Sequence, residues 1–174
     1  MHLSPFLLSQ LLVVVAIGFD LLSFQFKERR RIILCLMVSC LLIAAHFALL
    51  GHRTAMGLAL LAAVRFVASY HTTSKKVMAG FLGAAVAVAA LTFHGTLSVL
   101  GCIGAIFGTI GSFCKEDKQL RLNMLAATSV WLAHNCLAGT PTAVLMEALF
   151  LASNLLGYYR FYCRRAGKPD LLGP

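Results

Sequence analysis

Long apolar runs alternate with short polar breaks along the whole chain. Seven runs can be drawn, at 3–24, 32–50, 54–70, 77–93, 96–114, 120–138 and 142–163. Each approaches the ~20 residues that cross about 30 Å of hydrocarbon. A backbone without water must bond to itself, so the runs are predicted to be helices. The breaks are of two kinds. Lys27 to Arg31, Lys75-Lys76 and Lys115 to Lys118 are charged, whereas Gly51-His52-Arg53, His94-Gly95 and Gly139-Thr140-Pro141 have the residues of tight turns. Neither a basic leader nor a small-residue cleavage site is evident around the first run, so it reads as a retained span rather than a secretory signal.

A shift of 88 residues lays one part of the chain on another without gaps. Lys27-Glu28 meets Lys115-Glu116, His46 meets His134, Gly51 meets Gly139, Thr54-Ala55 meets Thr142-Ala143 and Tyr70 meets Tyr158. Matches between Ala and Leu come easily in such a chain. The turn glycines, the Lys-Glu pair and the histidines are the informative ones. They suggest one three-helix unit used twice, at 3–71 and 96–163, with 77–93 as a linker helix that lets both units enter the membrane the same way. The remaining residues, 164–174, form a tail.

Charge gives the orientation. Of fifteen Lys and Arg residues, thirteen fall on the breaks after the first, third and fifth runs or near the end of the chain, with Arg121, at the margin of the sixth run, counted on the break before it. Arg53 alone is on the other side, and Arg65 lies inside the third run. Positive charge stays in the cytoplasm, which puts the N-terminus outside and the C-terminus inside. An odd number of crossings agrees with this. The expected fold is an all-α membrane protein over 1–174: seven transmembrane helices in a 3+1+3 plan of two parallel repeats.

Composition points the same way. The 174 residues are 60% hydrophobic and 12% charged, with mean hydropathy +0.86. Soluble domains are about 25% charged. The net charge of +9 would suggest nucleic acid in a soluble protein, but here it resides in membrane loops, so nucleic-acid binding is not expected. The six cysteines lie in or beside apolar runs with no CxxC pair, and they read as small hydrophobes. Cys136 follows His134 by two, too little for a metal site. No metal or cofactor is expected. No nucleophile stands at motif spacing from a base, and there is neither HExxH nor a phosphate loop, so the chain does not read as an enzyme.

The candidate chemistry is the set of polar residues inside the runs, which hydrocarbon penalises. At about 1.5 Å per residue, His46 and His134 lie roughly 8 Å below the outer edge, Glu147 about 9 Å, and Arg65 and Asn154 roughly 16 and 20 Å. Trp131 shares a helix face with His134. With Asn135 they sketch a polar column descending from outside. Arg65 would point outward, away from the nearer cytoplasmic headgroups, because helical side chains tilt toward the N-terminus. That favours an interior role, with Glu147 as first candidate partner and Asp20 as second. Glu147 is equally explained by the helix start at Thr140-Pro141, where the dipole favours a carboxylate. The histidines could relay protons or simply bond a facing helix, and Asn135 and Asn154 could be interhelical glue. Asp20 is expected to reach water or Arg29. Gly101, Gly104, Gly108 and Gly111 share one face of the fifth run and predict close helix contact.

Glu28 to Arg31, HFALLG at 46–51, Arg65, His134-Asn135, Ala138-Gly139, Glu147, Asn154 and RFY at 160–162 resemble the YgjV-type bacterial inner membrane proteins, from about Gly18 to Arg164. The resemblance implies a multi-pass protein of the bacterial inner membrane, in contact with the lipid bilayer, and no particular chemistry. The 3+1+3 plan is also similar in architecture to the SWEET, PQ-loop and MtN3-like carriers. That likeness implies rocking of two units about a central site. The chain has no Pro-Gln dipeptide and only Pro5, Pro141, Pro169 and Pro174, so the mid-helix prolines of the sugar carriers are missing. The function expected from the sequence is a carrier of a small polar or anionic solute, with proton coupling as an option. Its alternative is a non-transporting receptor or scaffold in which an Arg65–Glu147 pair is a structural lock.

Overall fold

A computed structural model of the protein describes residues 5–164. Seven α-helices follow in order: α1 Pro5–Ser23, α2 Arg29–Leu49, α3 Arg53–His71, α4 Lys75–Leu91, α5 Thr96–Phe113, α6 Asp117–Leu137 and α7 Pro141–Tyr158. A π-helical turn, Tyr159–Cys163, continues α7. The seven apolar runs thus appear as seven helices. Five of them, α1, α2, α3, α5 and α7 with its π-turn, are long and apolar enough to cross a membrane. The tail expected at 164–174 lies outside the described residues beyond Arg164, as do residues 3 and 4 of the first run.

Helices α2 and α6 end in the same way. Gly51 and Gly139 adopt φ of 76° and 66°, a backbone region open to glycine. The N–H of His52 bonds the Phe47 carbonyl at 3.0 Å and that of Gly51 the Ala48 carbonyl at 3.2 Å. Eighty-eight residues on, Thr140 bonds Asn135 at 3.2 Å and Gly139 bonds Cys136 at 3.3 Å. This is the glycine-terminated cap that satisfies the last carbonyls. Pro141 then begins α7, where its missing N–H costs nothing.

Six helices close into a ring. Each neighbour pair is in contact: α1 with α2, α2 with α3, α3 with α5, α5 with α6, α6 with α7, and α7 with α1. Helix α4 stands outside, against α3 and α5. Only Ala85 and Ala89 of α4 are buried, and Gly57 of α3 lets Val88 come close. Leucines such as Leu91, Leu137 and Leu156 point outward, as the solvent of a membrane protein requires. At the charged end of the ring lies an apolar cluster of Phe24, Ile32, Ile33, Leu36, Phe66, Leu120, Met124 and Phe150.

Two arginines clamp that end, and here the sequence reading needs correcting. Helix α6 begins at Asp117 rather than near 120, so Arg121 is not a loop charge. It is fully buried. Its Nη2 donates to the Phe26 carbonyl at 2.9 Å and its Nη1 to Phe24 at 3.5 Å. Asp117, one turn back, pairs with it at 3.4 Å. Arg29 donates to the carbonyls of Cys114 at 2.9 Å, and of Ser112 and Ser69 at 2.7 Å each. Arg29 therefore does not serve Asp20. Its planar fork is used on three backbone carbonyls at the ends of α3 and α5.

Loss of a buried donor strands its acceptors. Arg121→Leu is expected to lower unfolding stability by about 1–3 kcal/mol, read as a lower melting temperature in detergent. Arg31→Leu, which removes an exposed pair to Glu28 at 2.8 Å and a contact over the Phe26 ring, is expected to change it by less than about 1 kcal/mol.

Candidate functional site

A cavity of about 130 Å³ lies inside the ring and is lined by all six of its helices. Asp20 reaches it from α1, Ser39 and Cys40 from α2, Arg65 from α3, Gly104 and Gly108 from α5, Trp131 and Asn135 from α6, and Glu147 from α7. Most of the remaining wall is apolar, with Phe47, Leu58, Phe66, Met124, Met146 and Phe150 among its side chains.

Arg65 is 5% exposed. Its Nη1 donates to Thr109 Oγ1 at 3.0 Å and the Ala105 carbonyl at 3.3 Å, while Nε has no partner. Its guanidinium also stacks against Phe66, 4.6 Å from the ring centre. The approach is possible because Gly108 has no side chain. A Cβ there would sit 3.4 Å from both terminal guanidinium nitrogens. The expected ion pair between Arg65 and Glu147 is not formed, nor is one to Asp20: the two described ion pairs are Arg31–Glu28 and Arg121–Asp117. The glycine face of α5 instead draws the guanidinium across to α5. The structural lock of the scaffold reading is therefore missing.

Glu147 is 9% exposed and has no hydrogen-bond or ion-pair partner among the described residues. Asp20 is 5% exposed. It lines the same cavity as Ser39 and Glu147. Asp20 thus belongs to the cavity and not to the inner surface.

The polar column of the sequence reading divides. Arg65, Trp131, Asn135 and Glu147 meet at the cavity; His46, His134 and Asn154 do not line it. His46 turns toward α1, where its Nδ1 donates to the Ser9 carbonyl at 3.1 Å. His134 bonds Asn135 Oδ1 at 3.2 Å and packs on Trp131 with ring centres 4.9 Å apart. Asn154 donates to the Arg121 carbonyl at 2.9 Å, which is the glue role. Helix rotation explains the split, since depth along a helix does not fix which way a residue faces. The glycine face of α5 behaves as read. Gly104 faces Trp131, Gly108 faces Arg65, and Gly111 faces Asn123, Met124 and the Leu120 carbonyl. Sequence reasoning underrated Asp20 and missed Arg121. A signal for Arg121 was present in the i, i+4 spacing from Asp117.

The family model described as bacterial inner membrane protein, Imp-YgjV, matches residues 7–165. The chain belongs to this family. Inner membrane protein YgjV of Escherichia coli (strain K12) is 31% identical over 160 residues, covering 92% of this chain and 87% of that protein. No solved structure matches the chain significantly. Family and apolar helices together make it an integral, multi-pass protein of the bacterial inner membrane. The YgjV-type residues 28–31, 46–51 and 134–139 occupy the arginine end, the α2 cap and the α6 cap.

Trp131 is the single tryptophan, so the cavity wall has its own reporter. A Cβ at Gly104 would meet Trp131 Nε1 at 2.7 Å, closer than side chains tolerate. Gly104→Ala is expected to shift Trp131 emission in the folded protein. Gly80→Ala, with nothing within 4 Å, is expected to leave the spectrum unchanged.

Proposed function

We propose that the protein is a small-solute carrier in which two parallel three-helix units, α1–α3 and α5–α7, rock about the central cavity, with all seven helices crossing the membrane, N-terminus out and C-terminus in. The observation that carries the reading is the register of the cavity wall. Lining positions recur at the 88-residue shift: Leu36 with Met124, Ser39 with Ala127, Cys40 with Thr128, Ile43 with Trp131 and Phe47 with Asn135 on α2 and α6. Leu58 and Met146, Ala59 and Glu147, and Ala62 and Phe150 do the same on α3 and α7, as do Asp20 and Gly108 on α1 and α5. A site at the interface of repeated units near mid-membrane is a common carrier plan.

The closures at both ends follow the same shift. At the glycine-turn end, Thr54 of α3 meets Ser98 of α5, and Thr142 of α7 bonds Gln10 of α1. At the arginine end, Arg29 takes the carbonyls of Ser112, Cys114 and Ser69. Arg121 takes those of Phe24 and Phe26 and presses on Gly157. These three positions are 88 residues from the other three. The arginines come from places one turn apart in their units, yet each reaches from its own unit to a carbonyl of the other. Charged donors hold more strongly than neutral ones. In this reading the arginine layer closes the cytoplasmic side, the hydroxyl layer closes the outer side, and the outer side opens the more readily.

The repeat supplies the walls, and the charges break its symmetry. Glu147 stands where the first unit has Ala59, and Asp20 where the second has Gly108. Buried charges without partners are costly to hold in a membrane, and a receptor or scaffold gives them no task.

Two measurements test the reading. Purified protein in proteoliposomes, loaded with a broad mixture of small metabolites, is expected to exchange at least one labelled solute; no flux across the mixture would contradict transport. Weakening both cytoplasmic clasps with Arg29→Gln and Arg121→Gln is expected to raise labelling of Cys40 from the cytoplasmic face severalfold while the melting curve remains cooperative. Unchanged labelling in a folded variant would remove the gate.

A further inference from the structure

We infer that the cavity is shaped for a zwitterion with an apolar body: a solute whose carboxylate binds Arg65 and whose ammonium binds Glu147. The inference rests on the carrier reading and deepens it. Its starting point is a pair of opposite charges that line one cavity without touching. Nη1 of Arg65 is committed to Thr109 and Ala105, which leaves the Nε–Nη2 edge of the guanidinium without a described partner. That edge is one of the two by which arginine grips a carboxylate through parallel hydrogen bonds. Glu147 faces the same space with no hydrogen-bond or ion-pair partner among the described residues.

A solute with one charge would answer one of these groups and leave the other exposed to a low-dielectric wall. A solute with both answers both. Asp20 adds a second carboxylate to the lining, on a helix packed against the one that carries Glu147, and so puts negative potential on that side of the cavity. The ammonium is thereby drawn to the Asp20–Glu147 side and the carboxylate to the α3–α5 side, which fixes the solute's direction. The wall also carries Phe47, Trp131 and Met146, a surface for hydrocarbon, beside the polar Ser39, Thr128 and Asn135.

The test uses the full chain in detergent, with Trp131 emission as the readout. The probes are the twenty standard amino acids, 3-methylbutylamine, which keeps the ammonium and lacks the carboxylate of leucine, and 4-methylpentanoate, which keeps the carboxylate and lacks the ammonium. The expected result is saturable binding of at least one apolar amino acid, at least tenfold tighter than either single-charge analogue. Glu147→Gln is expected to weaken amino-acid binding at least tenfold and to leave 4-methylpentanoate binding within about twofold. Arg65→Lys is expected to weaken both acids more than the amine. Should Arg65→Lys fail to fold, the Glu147→Gln contrast still decides. An analogue binding as tightly as every amino acid, or no saturable response to any amino acid, would overturn the zwitterion assignment. Flux of some other solute in the proteoliposomes would then leave the carrier reading standing, and absence of all flux would remove it as well.

Discussion

Hydrocarbon will not solvate a charge, and this protein holds three charged side chains at the axis of its helix ring without pairing them to each other. Asp20, Arg65 and Glu147 are each at least nine-tenths buried and line one cavity. A buried charge with nothing to balance it is costly by several kcal/mol, so each of these groups calls for water, an occupant or, for the carboxyls, a proton. The rest of the architecture is arranged around this demand. Six helices make the enclosure. The bare face of α5 brings a backbone carbonyl and a threonine to Arg65. Ser39 puts a hydroxyl in the same cavity wall as Asp20. Glu147 receives no hydrogen bond from the described residues.

The contrast with the other buried arginine is instructive. Arg121 is as deeply buried, yet it is fully occupied with Asp117 and the carbonyls of Phe24 and Phe26. Arg29, partly exposed, likewise spends its donors on carbonyls. Those two act as fasteners across the ring, and their geometry leaves little to a solute. Arg65 has an edge to spare. The same side chain is thus fully bonded at one depth and left with an open edge at another, and the difference lies in what the neighbouring backbone offers.

The sequence was most legible where one residue type has one structural use. The helices followed from apolar runs, because an unsolvated backbone has few alternatives. The ends of α2 and α6 were marked by Gly51 and Gly139, and the start of α7 by Pro141. The close approach along α5 was written in four glycines. Facing direction was harder to read. His46 and Glu147 share a depth, yet one turns to α1 and the other to the axis, because a helix rotated by a few tens of degrees changes neighbours without changing its hydropathy. The Arg65–Glu147 pair failed for a related reason. Charge complementarity proposed it, but the missing Cβ of Gly108 offered Arg65 a nearer partner. Arg121 was read as a loop charge because its helix begins three residues earlier than its apolar run. Its burial depends on carbonyls that come 95 and 97 residues before it in the chain.

Whether the axis of the ring is wet can be measured directly. In a background with all six cysteines replaced, single cysteines would be placed at Glu147 and Ala62, which line the cavity, and at Leu149 and Leu60, two residues away and on the outer surface. Membranes of each would be treated with 2-aminoethyl methanethiosulfonate, which needs water and an ionised thiol to react. A wet, charged axis predicts labelling at 147 and 62 at least tenfold faster than at 149 and 60. Equal rates at the four positions, or faster labelling of the outer pair, would contradict it.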